Sequence, residues 1–508
     1  MYLTQAIHRN AQQQPDEPCT IFGDRVRSHS ESLDRISRAA AGLKGLDVKP
    51  DDMVAILSLN SDYYFEILMA IAWADATFVP VNVRWSVAEI AYSLDEAEAE
   101  VMLVDATFAP LAGELLKTCK TLRTIVYCGD DDLPAGIELD YRALIDDNEP
   151  VADAHRRGDS LAALFYTGGT TGAPKGVMLS HRNLLTSAIG AAADRWLPPH
   201  GRLLHVAPMF HLADLACVIG QTVLGGTHVM VPAFEAGAVL ETISKHQVSA
   251  ALLIPTMLQW LVDDPRVSDY DLSCVSNIAY GASPLNEAVF QRSRKVFPNA
   301  EYTQAYGMTE VSPIATLLTI EDHHNPDVLR SAGRAASHSL VKIVGPDDSE
   351  LPRGEIGEIV VSGDHVMLGY WKKPAETAEA LRGGWMHTGD GGYMDEHGYV
   401  FLADRLKDMI ITGGENVYSI EVENVIAKHP SVATCAVVGL ADDKFGERVH
   451  AVVVLAPAAT LTLEELQEHA RAELAGYKLP RSLEFRTEMP MSGAGKILKR
   501  ELRKGPEA

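Results

Sequence analysis

Cysteine is scarce and scattered in this chain. The 508 residues hold six (Cys19, Cys119, Cys128, Cys217, Cys274 and Cys435), with no CxxC pair and no ladder spacing. That excludes a disulfide scaffold and a cysteine zinc ribbon, and it predicts a reduced, intracellular protein. Long hydrophobic runs are also missing. The stretch Ile67–Ala74 is cut by Asp75, so nothing approaches the roughly 18 apolar residues of a membrane span. Positive charge is in deficit: 44 Lys plus Arg stand against 69 Asp plus Glu, a formal net charge of −25. A surface that acidic repels phosphate backbones and argues against a nucleic-acid partner. The opening MYLTQAIHRN has no apolar h-region and the closing GPEA is no peroxisomal address, so a cytoplasmic location is expected.

What is present is an ordinary globular balance, 47% apolar and 22% charged. At roughly 150 residues per domain the chain should form two to four compact units. Short apolar runs alternate with amphipathic patterns. Met53–Leu57, Phe78–Val81 and Val101–Val104 read as strands, and Ser61–Ala76 and Val87–Glu98 as helices. The rhythm recurs at Ala236–His246 (helix), Ser249–Ile254 and Ser276–Tyr280 (strands), Leu285–Val296 (helix) and Glu301–Tyr306 (strand). This βαβ rhythm predicts an α/β fold of mainly parallel, helix-flanked sheets. From about residue 338 hairpins take over, with strands at Leu340–Val344, Glu358–Val361 and Tyr399–Ala403 and a turn at Asp395–Gly398. A third texture, α+β, begins near Lys407. The expected division is 1–404, a hinge at 405–407, and a small mobile unit at 408–508.

The strongest local signal is Tyr166-Thr-Gly-Gly-Thr-Thr-Gly-Ala-Pro-Lys-Gly176, directly after the strand Leu161–Phe165. Glycines allow close backbone approach, hydroxyls donate hydrogen bonds, and Lys175 adds charge, which together suit a phosphate. It is not a Walker A loop, because Pro174 precedes the lysine and no GK[ST] follows. Tyr280-Gly281 and Tyr306-Gly307 each end a predicted strand, where open α/β sheets bind ligands. Tyr306 can stack on a base, although a buried core tyrosine reads the same at either position. Thr309 and Glu310 offer hard oxygens of the kind Mg²⁺ prefers. His323 and His324 lack zinc spacing and are expected to be solvated.

The TTGxPKG core resembles the phosphate-loop signature of the adenylate-forming superfamily of acyl-CoA synthetases, aryl-CoA ligases, adenylation domains and beetle luciferases. Further segments resemble the same family in order: Tyr280-Gly-Ala-Ser-Pro284, Tyr306-Gly-Met-Thr-Glu310, His387-Thr-Gly-Asp390, Leu402 to Asn416, and Pro490-Met-Ser-Gly-Ala-Gly-Lys496. The likeness spans essentially the whole chain. It implies an ATP-dependent carboxylic acid–CoA ligase that forms an acyl-AMP and releases pyrophosphate.

The resemblance implies a role for each matched position. Thr167, Gly168, Gly169, Thr170, Thr171, Gly172 and Lys175 would hold the ATP phosphates. Gly281, Ala282, Tyr306, Gly307 and Thr309 would frame the adenylate, and Glu310 would hold Mg²⁺, a solvated loop glutamate being the bland alternative. Asp390 would accept the ribose hydroxyls with support from Arg405, whose plain reading is a surface salt bridge. Lys407 would be the hinge, and Gly413 and Gly414 would line the coenzyme A face. Lys496 would bridge the substrate carboxylate and the α-phosphate, although Lys499, Arg500, Arg503 and Lys504 make a basic solvated tail the alternative.

His211, Leu215 and Ala305 would line the acyl pocket. Histidine rather than aspartate at 211 disfavours an amino-acid substrate, an inference that weakens if Asp214 faces the pocket. Leu215–Ile219 gives an apolar wall or, equally, a buried helix. A medium- or long-chain fatty acid is expected first and an aryl acid second. Transfer of acyl-AMP to a separate carrier protein and a non-catalytic nucleotide-binding regulator are the rivals. A homodimer is common in that family.

Overall fold

The alternation of apolar runs and amphipathic helices folds as the βαβ rhythm demands. The computed structural model describes residues 1–167, 174–281, 285–405, 408–413, 415–442, 444–471, 473–491 and 497–503, and of Asp404, Arg405 and Asn416 the backbone alone. The chain divides into two compact units, one of residues 1–341 and 361–386, the other of 342–360 and 387–508.

The first unit contains two large sheets among the described residues. In the eight-stranded sheet, Leu161–Thr167, Thr77–Pro80, Met53–Leu57, Val101–Val104, Thr124–Tyr127 and Leu139–Asp140 run parallel in that spatial order. Lys175–Ser180 and then Gly369–Tyr370 add antiparallel at the free side of Leu161–Thr167. In the nine-stranded sheet, Glu301–Tyr306, Asn277–Gly281, Ala250–Leu252, Arg202–His205, Thr227–Met230 and Pro18–Phe22 are parallel, with antiparallel strands at both edges. Strands so covered on both faces read as continuous apolar runs, and Met53–Leu57 and Val101–Val104 are buried at every position.

Helices fill the space these sheets leave. Asp62–Trp73 is buried at all twelve positions, its two carboxylates, Asp62 and Glu66, being paired with Arg25, Arg27 and Arg35. Its start is set by Ser61, whose Oγ accepts the Tyr64 N–H at 3.1 Å. Leu212–Leu224 carries Leu215, Val218 and Ile219 into the same core as Phe65 and Leu68.

The second unit has a four-stranded sheet, Leu340–Val344, Gly357–Ser362, Met386–Met394 and Val400–Arg405, whose strands lie mainly in it. The Asp395–Gly398 turn closes its last hairpin, with Gly398 at φ 85°. The long hairpin Val432–Asp442 with Gly446–Leu455 centres a second sheet, flanked by helices Ser419–Ile426 and Leu463–Arg471. Among the described residues no helix is long and apolar enough to cross a membrane, and all six cysteines are free thiols.

Candidate active site

Parallel strands deliver their carboxyl ends to one side of a sheet, and several of the matched segments lie there. Arg202–His205 leads to Pro208–His211, Asn277–Gly281 ends on Gly281, and Glu301–Tyr306 ends on Tyr306 and Gly307. Gly281 pairs with Ala305 so closely that an added Cβ would stand 2.5 Å from the Ala305 carbonyl oxygen. At Gly307 an added Cβ would collide with the Pro313 carbonyl. Both glycines are therefore demanded by close backbone approach. Tyr306 and Ala305 are partly exposed at this end.

Tyr280, the other aromatic of the pair, points into the core. It is 4% exposed, and its phenol donates to His323 Nε2 at 2.9 Å. His323 Nδ1 in turn donates to the Thr319 carbonyl at 2.7 Å. Burial pulls the His323 imidazole below its ordinary range, which suits a neutral ring accepting on Nε2. The expectation that His323 is solvated is thus corrected: it is buried, because its two nitrogens are both satisfied inside the protein. His324 is exposed and lies 3.5 Å from Glu301.

Three charged or polar groups meet at the end of strand Lys175–Ser180. Glu310 is 6% exposed and begins just beyond Tyr306, in the short 3-10 turn Thr309–Val311. Its Oε1 accepts the Tyr370 phenol O–H at 2.9 Å, and its carbonyl accepts the Met367 N–H at 2.9 Å. The Lys175 ammonium stands 5.0 Å from the centre of the Tyr370 ring, within cation–π range. Burial first, and then the Glu310 charge, push the Tyr370 phenol well above its ordinary value, so it remains a donor. The strand pairing explains the placement: Tyr370 lies opposite Val177, two residues along from Lys175.

The same edge is braced from behind. The Trp371 N–H donates to the Gly176 carbonyl at 2.7 Å, and its indole Nε1 donates to the Glu96 carbonyl at 2.9 Å. The Tyr166 phenol donates to Glu96 Oε2 at 2.5 Å. At Gly176 an added Cβ would come 2.9 Å from a Leu164 methyl group and 3.2 Å from Trp371 Cβ. Thr167 closes strand Leu161–Thr167 opposite Lys175. Gly168, Gly169, Thr170, Thr171 and Gly172 lie outside the described residues, as does Ala282.

His211 caps helix Leu212–Leu224 and packs its ring 4.2 Å from that of Phe210. Leu215, one turn on, is fully buried in the core. Asp214 faces inward, its Oδ2 lying 2.8 Å from His205 Nδ1. His205 Nε2 continues to His228 Nδ1 at 2.9 Å, and His228 Nε2 to the Thr222 hydroxyl at 3.1 Å. Burial raises the Asp214 carboxyl against the opposing pull of His205. The approach to His211 is held by Asn60, whose amide donates to the Ala207 carbonyl and accepts the Met209 N–H, each at 2.8 Å.

In the second unit, Asp390 is 8% exposed within strand Met386–Met394, opposite Arg405 in register. The turn before it is held by Glu358, whose oxygens take the Gly389 N–H at 2.9 Å and His387 Nδ1 at 2.8 Å. Gly389 has φ 71°, a conformation natural to glycine. Gly413 likewise has φ 63°, and its N–H donates to the Phe445 carbonyl at 2.7 Å. Lys407, Gly414 and Lys496 lie outside the described residues, as does the side chain of Arg405.

Tyr370, Trp371, Glu96, Asn60 and Glu358 belong to no motif singled out in the sequence. An aromatic pair after glycine, Gly369-Tyr370-Trp371, was the one available signal. For Glu96 and Asn60 there was none, since both act on segments remote in sequence.

The AMP-binding enzyme family model matches residues 7–371, and the AMP-binding enzyme C-terminal domain model matches 421–496. A feruloyl-CoA synthase of Amycolatopsis sp is 39% identical over 502 residues, covering 98% of this chain and 97% of that one. A fatty acid–[acyl-carrier-protein] ligase of Streptomyces coeruleorubidus is 34% identical over 509 residues, covering 99% and 96%. Among solved structures, the o-succinylbenzoate CoA synthetase of Bacillus subtilis in complex with its acyl-adenylate superposes with a TM-score of 0.87. It is 28% identical, with 99% of this chain and 98% of that one covered.

Proposed function

The chain belongs to the AMP-binding enzyme family and is an AMP-forming acid–thiol ligase, and from that premise we propose that it joins an aryl acid of the hydroxycinnamate class to coenzyme A. The observation that carries the adenylation site is the Glu310–Tyr370–Lys175 assembly, which sets a buried carboxylate and a partly exposed cation at the edge of the predicted phosphate loop.

In the first half-reaction a substrate carboxylate oxygen attacks the α-phosphorus of ATP. The bond to the bridging oxygen breaks and pyrophosphate leaves. The segment Thr167–Lys175 holds the phosphates, Tyr306 stacks on the adenine over Gly281 and Gly307, and Asp390 and Arg405 take the ribose. Glu310 and the Thr309 hydroxyl, being hard oxygen donors, fit Mg²⁺, which when bound neutralises phosphate charge. Lys496 stabilises the charge that builds during in-line attack. In the second half-reaction the coenzyme A thiolate attacks the acyl carbon and AMP departs, with Gly413 and Gly414 on the thiol's path. A carboxylate needs this activation because its own oxygen is a poor leaving group.

His211, Leu215 and Ala305 are assigned to the acyl pocket. The aryl acid is placed first, ahead of the fatty acid favoured by the apolar stretch after His211, because the feruloyl-CoA synthase is the more similar of the two relatives and covers nearly the whole chain. A medium- or long-chain fatty acid is the second reading, supported by the fatty-acid relative and by that apolar helix.

The test is pyrophosphate release across hydroxycinnamic, benzoic, octanoic and palmitic acids, with and without coenzyme A. A kcat/KM for hydroxycinnamates at least about tenfold above that for the alkanoates, a difference of roughly 1.4 kcal/mol, supports the first reading. The reverse order supports the second. Pyrophosphate release without thioester formation points to a carrier-protein acceptor, and no release with any acid overturns the assignment.

A further inference from the structure

We propose that His8, Asp153 and His155 form a binding site for a first-row divalent cation of the zinc class, apart from the nucleotide machinery. His8 lies on helix Gln5–Gln13, and Asp153 and His155 lie in the segment that leads into strand Leu161–Thr167. One ligand atom from each falls within 4.8 Å of the other two. His8 Nε2 is 2.8 Å and His155 Nε2 is 3.9 Å from the same carboxylate oxygen, Asp153 Oδ2. Metal–nitrogen bonds of about 2.0–2.1 Å in a tetrahedral site separate neighbouring ligands by roughly 3.3 Å. The two histidine–carboxylate separations, 2.8 and 3.9 Å, straddle that spacing, and all three donor atoms lie within 4.8 Å of one another.

The carboxylate is already oriented for such a task. The Asp153 side chain is 1% exposed. Its Oδ2 accepts the Thr4 hydroxyl at 2.6 Å and its Oδ1 accepts the His155 N–H at 2.9 Å. Those are the outer hydrogen bonds that hold a ligating carboxylate in place. Arg156, the nearest cation in sequence, is turned away to Asp51 and Asp75. Among the described residues, the ion-pair partners of Asp153 are the two imidazoles.

His155 is set beside the carboxylate by its backbone. Its backbone has φ 54°, a left-handed conformation that costs a residue with a β-carbon about 1 kcal/mol. That conformation brings the ring back beside Asp153 and leaves it 58% exposed, while His8 is 36% exposed. An ion can thus enter from solvent and keep a water as its fourth ligand. Two imidazole nitrogens with one carboxylate select Zn²⁺, Co²⁺ or Ni²⁺ over Mg²⁺ and Ca²⁺, which take oxygen sets. Bound there, the ion would clip the amino-terminal helix to the lead-in of the strand that ends at the phosphate loop.

The test uses the full untagged chain, stripped with a chelator and titrated with Zn²⁺ by calorimetry and with Co²⁺ by visible absorption. We expect a site that gives a Co²⁺ d–d band and raises the thermal midpoint on Zn²⁺ addition. His155→Ala, at an exposed side chain, should fold normally, release pyrophosphate as wild type does, and lose the band with at least a tenfold weaker Zn²⁺ affinity. Asp153→Asn should do the same for the metal. Equal Zn²⁺ binding by wild type and His155→Ala, or no binding by wild type below millimolar Zn²⁺, overturns the proposal.

Discussion

Tyr370 donates its phenol to Glu310 Oε1 at 2.9 Å, and the same ring lies 5.0 Å from the Lys175 ammonium. One aromatic side chain therefore contacts both charges, although the three residues come from three separate segments. It fixes the carboxylate by a hydrogen bond and the cation by its ring face.

Tyr370→Phe separates those two functions. The ring contact with Lys175 survives, while Glu310 loses a bond to a charged acceptor worth about 1.5–3 kcal/mol. We expect kcat/KM for pyrophosphate release to fall at least tenfold and the Mg²⁺ requirement to rise. Unchanged kinetics over a Mg²⁺ titration would remove Tyr370 from the site.

Gly307→Ala places a methyl group against the Pro313 carbonyl, which cannot move aside as a flexible side chain could. Overpacking of this kind costs about 1–3 kcal/mol. A lowered unfolding midpoint should accompany an ATP KM raised several-fold, because the displaced strand end carries Tyr306. Wild-type values of both would count against the assigned base-binding edge.

Acid should weaken the first unit. Burial pulls the His181 imidazole down to about 4 and that of His365 to about 3, from an ordinary 6.5. The unfolded chain binds these protons near pH 6.5 and the folded chain does not, so stability falls as pH drops from 6.5 toward 4 and neither group contributes above 6.5. For His181 the full effect is about 3 kcal/mol. Urea midpoints at pH 7.5, 6 and 5 should decline, and His181→Gln should flatten the slope. A wild-type midpoint that does not move over that range would contradict the buried placement.

Lys496 and Lys407 carry a proposed division of labour. Lys496→Ala should nearly abolish pyrophosphate release yet still convert preformed acyl-AMP to acyl-CoA. Lys407→Pro should spare the first step and slow the second. Equal loss of both steps in Lys496→Ala, measured in separate half-reaction assays, would end that scheme.

Local elements were readable because their causes are local. Val101–Val104, Ala236–His246 and Glu301–Tyr306 fall where periodicity and turn residues put them. The strand Ser249–Ile254 shortens to Ala250–Leu252, of which Ala250 and Ala251 pair on both sides and Leu252 with Ala279 alone. The site segments were readable too, because glycines needed for close approach recur in fixed company. The two tyrosines before glycine were not distinguishable in sequence. Tyr280 turns into an apolar cluster with Phe290 and Tyr302, where His323 offers an acceptor nitrogen.

By itself, then, the order of residues determined the alternation of elements, the parallel sheets and the glycine-bearing segments at strand ends. The fold alone decided that Tyr370 would tie Glu310 to Lys175, that Asn60 would hold the approach to His211, and that Asp214 would pair with His205. Each of those depends on a hydrogen bond or ring contact between segments remote in sequence. Such contacts follow from sheet register and helix packing, which no short window of residues encodes.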